Sequence, residues 1–373
     1  MNTTFVEKQL QQVHERLDAG DFDASAALLD PLLAISADRP DLLQLGATIA
    51  LRRQRLDLAE DFALRAVAAC PENTAFKYTR ARVLAALQRY EEALVELRHA
   101  LRIDPGFHKA HVQIWQIMTT CGRLDELTNL VKQRLTALDT QRSIERLQTR
   151  VQIPDTTLCC IDCKNHALAI RALRLSLAGC QFPRAVFFTD RDFDIEPVET
   201  VIIDPIQSLQ DYSRFVVKRL LHYIDTEYIL LIQWDGYIVN PDVWSEQFLL
   251  FDYIGARWPD YVGVLSPQGA RNIRIPDENS VGNGGFSLRS RTLLEALQDP
   301  HIVIGAYPED MAICQTYRQY LERQHGIAFA PAAVADQFSF ELREPVGPTF
   351  GFHGQSNITR FVDDVTIRLL EAV

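Results

Sequence analysis

Residues 228–235 read Tyr-Ile-Leu-Leu-Ile-Gln-Trp-Asp, and Gly236 follows at once. An apolar, β-prone run of this length predicts a strand buried on both faces, as at the centre of an α/β sheet. Ligands of such sheets bind beyond the carboxyl ends of the strands, and Asp235 stands at that end. A carboxylate leaving a buried strand has two roles open to it. It caps a turn, the ordinary work of a strand-terminal Asp; or it holds a divalent metal against a pyrophosphate, because hard cations take oxygen ligands and keep positions open for phosphate.

Outward from this strand, the chain beyond residue 155 alternates short apolar runs with amphipathic stretches. The runs are 157–161, 185–188, 200–203, 228–232 and 253–256; the amphipathic stretches are 167–177, 212–224 and 243–250. This pattern predicts a mostly parallel central sheet with helices on its faces. Three of the runs end in acid, at Asp162, Asp190 and Asp235, and the carboxyl ends of neighbouring parallel strands share one edge. Neither G-x-x-x-x-G-K-[ST] nor G-x-G-x-x-G opens a helix, so a phosphate group needs another cradle, and a metal is the candidate.

The first third has a different period. Gly20-Asp-Phe-Asp-Ala-Ser25, Gln54-Arg-Leu-Asp-Leu-Ala59, Gln88-Arg-Tyr-Glu-Glu-Ala93 and Gly122-Arg-Leu-Asp-Glu-Leu127 each begin 34 residues after the last. This series resembles the tetratricopeptide repeat. Ala81, Ala93, Ala100 and Pro105 fall at its small-residue and terminal-proline positions, and Ala47, Ala59, Ala66 and Pro71 repeat them one period earlier. Small residues there let two helices approach closely, and the proline ends the second helix. The outer copies depart at Val13, Ser25 and Ala37, and at Trp115 and Arg134. Residues 1–138 are expected to form an α-solenoid of about four helical hairpins, residues 139–154 a last helix and linker, and residues 155–373 an α/β domain. A solenoid props up its neighbour or offers a concave surface to a protein partner, an acceptor or another subunit.

The segments QWDGYIVNPDVW (233–244), FDYIGARWP (251–259), VGNGGFSLRS (281–290), PED (308–310) and FGFHG (350–354) follow one another in an order that resembles a bacterial domain family related to the GT-A glycosyltransferases. The resemblance spans most of residues 156–360. It implies a nucleotide-diphosphate-sugar transferase fold with an acidic metal-binding motif, commonly D-x-D, at the end of a central strand. Here Gln233 occupies the first acidic position, which leaves Asp235 as the motif's carboxylate and weakens the case for metal dependence. The resemblance also makes His353 a metal ligand beside Asp235, with Mn2+ or Mg2+ as the ion, and a neutral imidazole suits manganese-like ions.

Other residues have a structural and a functional reading. Asn283, Gly284 and Gly285 form a hairpin turn or a backbone loop that lies against a sugar ring. Glu309 and Asp310 cap a helix, or supply the base that deprotonates an acceptor hydroxyl, with Asp310 as base and Glu309 as acceptor orienter. Tyr212, Ser213, Lys218 and Arg219 lie on the helix before the Asp235 strand, and Lys218 is the cation expected to balance a diphosphate. Asp190 is a weaker candidate for a base or ribose contact, and Trp234 and Trp258 either stack on a sugar or base or pack in the core.

With a net charge of -11 the chain lacks the basic surplus of a nucleic-acid binder. Seven cysteines at uneven spacing predict reduced thiols, and Cys160-x-x-Cys163 has no second ligand pair at zinc spacing. No apolar stretch approaches the ~20 residues of a membrane span, and the polar N-terminus predicts a soluble cytoplasmic protein. Together these features predict a metal-assisted glycosyltransferase whose solenoid recruits an acceptor or partner. The alternative is a non-catalytic adaptor with a degenerate transferase fold, favoured by Gln233.

Overall fold

A computed structural model describes residues 3–104, 106–123, 125, 128–129, 131–132, 150–266, 269–305 and 308–358. Pro105, Leu127, Arg134 and residues 139–149 of the expected linker lie outside the described residues. The chain divides into two compact units, the first within residues 1–131 and the second within 132–358. Among the described residues no helix is long and apolar enough to cross a membrane.

The first unit is a stack of antiparallel helices: α1 (Thr3–Asp18), α2 (Phe22–Ile35), α3 (Pro40–Arg52), α4 (Leu56–Ala69), α5 (Thr74–Ala86), α6 (Tyr90–Ile103) and α7 (His108–Thr120). The 34-residue period is written into the backbone. Gly20, Gln54, Gln88 and Gly122 open the four hexapeptides, and all adopt the left-handed conformation, with φ of 76°, 59°, 62° and 70°. In every case the next amide closes the helix end: Asp21 N donates to Arg16 O, Arg55 N to Ala50 O, Arg89 N to Leu84 O and Arg123 N to Met118 O, at 2.8–2.9 Å. Ala47, Ala59, Ala81, Ala93 and Ala100 are fully buried where the helices meet.

The second unit is built on a six-stranded sheet. Its strands are β2 (Thr156–Ile161), β4 (Arg184–Thr189), β5 (Glu199–Ile202), β6 (Tyr228–Ile232), β7 (Tyr253–Ile254) and β10 (Phe286–Ser290), and they lie in the order β5-β4-β2-β6-β10-β7. The first four run parallel, while β10 is antiparallel to both β6 and β7, so the sheet is mixed. Strands β2 and β10 are buried throughout, and β6 is buried from Ile229 to Ile232, because each has a partner on both sides and apolar layers over both faces. One layer joins Cys159, Val186, Phe188 and Leu231 to Phe215, Val216 and Leu220 of the segment that precedes β6.

Smaller pairs complete the unit. Strand β1 (Val151–Gln152) runs parallel to β3 (Cys180–Gln181), so the end of the expected linker already belongs to this unit. Strands β8 (Tyr261–Ser266) and β9 (Gly269–Arg274) form a hairpin. Strands β11 (Ser339–Phe340) and β12 (Gly351–Phe352) form a short parallel pair. The helix expected over 243–250 is instead two 3-10 turns, Pro241–Val243 and Glu246–Leu250, separated by Trp244 and by Ser245, whose hydroxyl accepts from Gln247 N. All seven cysteines are free thiols, and burial pushes those of Cys159 and Cys160 up from the ordinary value.

Candidate functional site

The strand order reverses between β2 and β6, the sequence running from β2 to β4 and β5 on one side before β6 forms on the other. A crevice outside the carboxyl ends at such a reversal is the usual ligand position of an open α/β sheet. Asp162 follows β2, Asp190 follows β4 and Asp235 lies three residues beyond β6. Asp162 is used up locally, accepting from the amides of Lys164 and Asn165 and from Asn165 Nδ2. Asp190 pairs with His166 Nε2 at 2.6 Å, and that bond holds its carboxyl below the ordinary value.

Asp235 is 7% exposed. Its main chain is fixed by Gly354 N, which donates to Asp235 O at 3.0 Å. Its Oδ1 is buried and stands 3.4 Å from His353 Nε2, longer than a charge-assisted hydrogen bond. The same Nε2 lies 3.1 Å from Gln233 Oε1. On the far side of the ring, His353 Nδ1 lies 3.0 Å from Glu341 Oε1 and 3.1 Å from Asn283 Nδ2. Burial works against charge on the ring, but Asp235 and Glu341 outweigh it and raise the His353 pKa well above the ordinary value. Gln233, Asp235, Asn283 and His353, expected from three separate places in the sequence, therefore converge on one point, with Glu341 as a fifth member that the sequence did not announce.

The 281–285 loop is wedged between these groups, and space explains its glycines. A Cβ on Gly285 would meet His353 Nε2 at 2.0 Å, one on Gly284 would meet Glu309 Oε1 at 2.1 Å, and one on Gly282 would meet the Trp258 ring at 2.2 Å. Asn283, at φ 62°, accepts through Oδ1 from Gly285 N and Phe286 N, and its carbonyl accepts from Tyr253 Oη at 2.9 Å. The loop leads into β10 instead of joining a hairpin.

Glu309 and Asp310 divide sharply. Glu309 is 3% exposed and bound to Arg289 Nη2 at 2.8 Å; Arg289 is fully buried, donates through Nε to Ser287 Oγ and lies over the Tyr253 ring. Its role is therefore that of a buried counter-ion and not of an acceptor orienter. Asp310 is half-buried, and its Oδ2 accepts from Gly284 N at 2.9 Å while Oδ1 accepts from Met311 N at 2.7 Å. Burial and the neighbouring charge of Glu309 push its carboxyl up to about 7.

Lys218 corrects another expectation. Its amine donates to the carbonyls of Leu297 and Asp299, at 2.5 and 3.1 Å, and ties two core segments together in place of facing a phosphate. Tyr212 is buried, and burial, with the charge of Glu309, raises its hydroxyl pKa. Trp234 and Trp258 are both buried, and Trp258 packs under Gly282. Among the described residues no three His, Cys, Asp or Glu side chains group as a metal cluster.

Residues 54–138 match the profile of a family described as a tetratricopeptide repeat. Residues 54–138 are tetratricopeptide repeats. This is a module of protein-interaction type, and the solenoid of the first unit has its geometry. Residues 196–353, which carry every member of the site from Tyr212 to His353, match a family described as a protein of unknown function (DUF5672). Among curated proteins the chain is similar to the TPR repeat-containing thioredoxin TTL4 of Arabidopsis thaliana, 37% identical over 93 residues, covering 24% of this chain and 14% of that protein. It is also similar to the inactive TPR repeat-containing thioredoxin TTL3 of the same plant, 29% identical over 117 residues, covering 31% and 17%. The chain thus spans less than a fifth of either relative. Among solved structures it is similar to TTC0263, a thermophilic TPR protein of Thermus thermophilus, with 21% identity, TM-score 0.31 and coverage of 36% and 74%. The first TPR domain of human RPAP3 gives 19% identity, TM-score 0.29 and coverage of 32% and 93%.

Proposed function

We propose that the second unit is a glycosyltransferase of GT-A type, moving a sugar from a nucleotide-diphosphate-sugar to an acceptor hydroxyl. The observation that carries this reading is the meeting of Gln233, Asp235, Asn283 and His353 at the carboxyl edge of the sheet beside its reversal point. One antiparallel strand, β10, set between β6 and β7 beside the run of four parallel strands, also suits a GT-A sheet.

The side chains fit a divalent ion. Atoms bound about 2.0–2.2 Å from one ion lie roughly 3.0–3.5 Å apart, and His353 Nε2 stands 3.1 Å from Gln233 Oε1 and 3.4 Å from Asp235 Oδ1. The buried, poorly paired Asp235 Oδ1 is the kind of atom an ion satisfies. Mn2+ or Mg2+ held there by Asp235, His353 and Gln233 would supply positive charge for the departing diphosphate. The 281–285 loop, packed against His353, holds that ring in place beside the sugar, and Asp310 accepts the proton of the acceptor hydroxyl. A carboxyl raised to about 7 is suited to that task because its basic form and its proton affinity are both useful near neutral pH. The solenoid brings a protein or glycan acceptor to this site.

A thermal-shift screen of nucleoside diphosphates, each with and without Mn2+, tests the reading, since ligands that bind only the folded state raise Tm by mass action. A shift that needs both nucleotide and metal is expected. Binding of nucleotide without turnover of any sugar donor would favour the adaptor, for which Gln233 is the specific observation.

A further inference from the structure

The β11–β12 pair looks too short to matter for stability, yet its register determines what faces His353. Phe340 lies opposite Phe352, so the next residues on the two strands, Glu341 and His353, leave side by side. His353 N donates to Phe340 O at 3.0 Å. Asn357 Nδ2 then bridges the two segments, donating to the carbonyls of Glu341 at 2.9 Å and of His353 at 2.6 Å. Gly354, at φ 98°, turns the chain here, and a Cβ on it would press on Glu341 Cγ at 3.3 Å. The register and the Asn357 bridge therefore hold the two backbones together, and the carboxylate of Glu341, 19% exposed, stands 3.0 Å from His353 Nδ1.

We propose that Glu341 is a positioning residue: it accepts the Nδ1 proton of His353 and so leaves Nε2 as the nitrogen presented to Asp235 and Gln233. The inference rests on the metal-assisted reading above and names how that site is prepared. A histidine offers a metal one nitrogen only when the proton is kept on the other, and a carboxylate acceptor both holds the proton and strengthens the ligand. Asn283 cannot replace it. Its Oδ1 is occupied by the amides of Gly285 and Phe286, so the amide turns its Nδ2 donor toward Nδ1. A bond from that donor would require a bare Nδ1 and would put the proton on Nε2, closing the nitrogen that faces Asp235. Glu341 and Asn283 thus favour opposite tautomers, and the carboxylate is the stronger partner.

The test uses the full chain, Mn2+ alone as the probe, and two readouts. Calorimetry gives the Mn2+ affinity of wild type, Glu341→Ala and Glu341→Gln. Proton–nitrogen correlation spectra of the histidine rings, recorded on the metal-free chain at a pH high enough for the ring to be neutral and with His353 assigned through His353→Gln, report whether the remaining proton sits as a protected Nδ1–H. Glu341→Ala should lose about 10–100-fold in Mn2+ affinity and lose the protected Nδ1–H, whereas Glu341→Gln, which keeps an oxygen acceptor, should retain both to a large degree. Should the alanine variant unfold, Glu341→Met keeps the bulk without the acceptor and makes the same comparison. Wild-type affinity in Glu341→Ala, or an Nδ1–H that persists there, overturns the proposal. A wild-type chain that binds no Mn2+ overturns the metal reading instead, and the ring spectra alone then decide the role of Glu341.

Discussion

Asp310 accepts from the amides of Gly284 and Met311, so its carboxylate joins the loop that carries Asn283 to the helix start. Its carboxyl is raised to about 7 by burial and by Glu309, so the basic form is scarce below that pH and accumulates above it. Transfer should therefore rise as pH increases through about 7 and level off beyond, and Asp310→Asn should lower it by roughly 10²–10⁴ while donor binding persists. A pH–rate profile and a donor titration of the variant check both parts; a flat profile, or a variant as active as wild type, removes Asp310 from the chemistry. At this scale the sequence was readable where a residue type is rare in its setting, as with Asp235 after an apolar strand and His353 between glycines. It was unreadable where the partner is distant. Glu309 looks like a helix-start acid until Arg289, twenty residues upstream, is seen against it, and Lys218 looks like a free cation until it meets the turn at 297–299. Glu341 carried no signal, because only the β11–β12 register brings it to His353.

The solenoid was legible as an element because its period of 34 recurs in small residues and turns, and the backbone repeats it. Gln54 and Gln88 occupy left-handed positions that Gly20 and Gly122 fill at the outer copies. A side chain costs about 1–2 kcal/mol there, offset in part by the greater unfolded freedom of glycine. Gln54→Gly and Gln88→Gly should thus each raise stability by roughly 0.5–1 kcal/mol in denaturant titrations, and a loss of stability would show that the glutamines make contacts worth more than the strain. Five strands of the main sheet were also legible from their apolar runs. The pairing of β10 was not, because a sequence pattern gives a strand's faces and not its neighbours. The same holds for the 281–285 loop: Asn-Gly-Gly is a hairpin signal, but here its glycines serve close approach to His353, Glu309 and Trp258. Gly285→Ala forces the His353 ring aside, and it should cost roughly 1–3 kcal/mol of stability and abolish metal-dependent nucleotide binding. Unchanged binding in that variant would show that the ring position is not needed.

Each of the two units has its own core, so the second should fold without the first. A fragment of residues 150–373 is expected to bind nucleotide and hydrolyse donor as the full chain does, yet to lose activity toward a macromolecular acceptor, measured side by side with the full chain. Equal use of the acceptor by the fragment would leave the repeats without a recruiting role. The central claim, that the point where Asp235, Gln233 and His353 meet is a metal-assisted nucleotide-diphosphate site, is tested most directly by calorimetric titration of a nucleoside diphosphate into the full chain and into Asp235→Ala, each with and without Mn2+. The account predicts binding to the wild type that strengthens with Mn2+, and loss of that Mn2+-dependent part in a variant whose Tm stays close to wild type. Equal Mn2+-dependent affinity in the two chains, or no binding of any nucleoside diphosphate to the wild type, would contradict it.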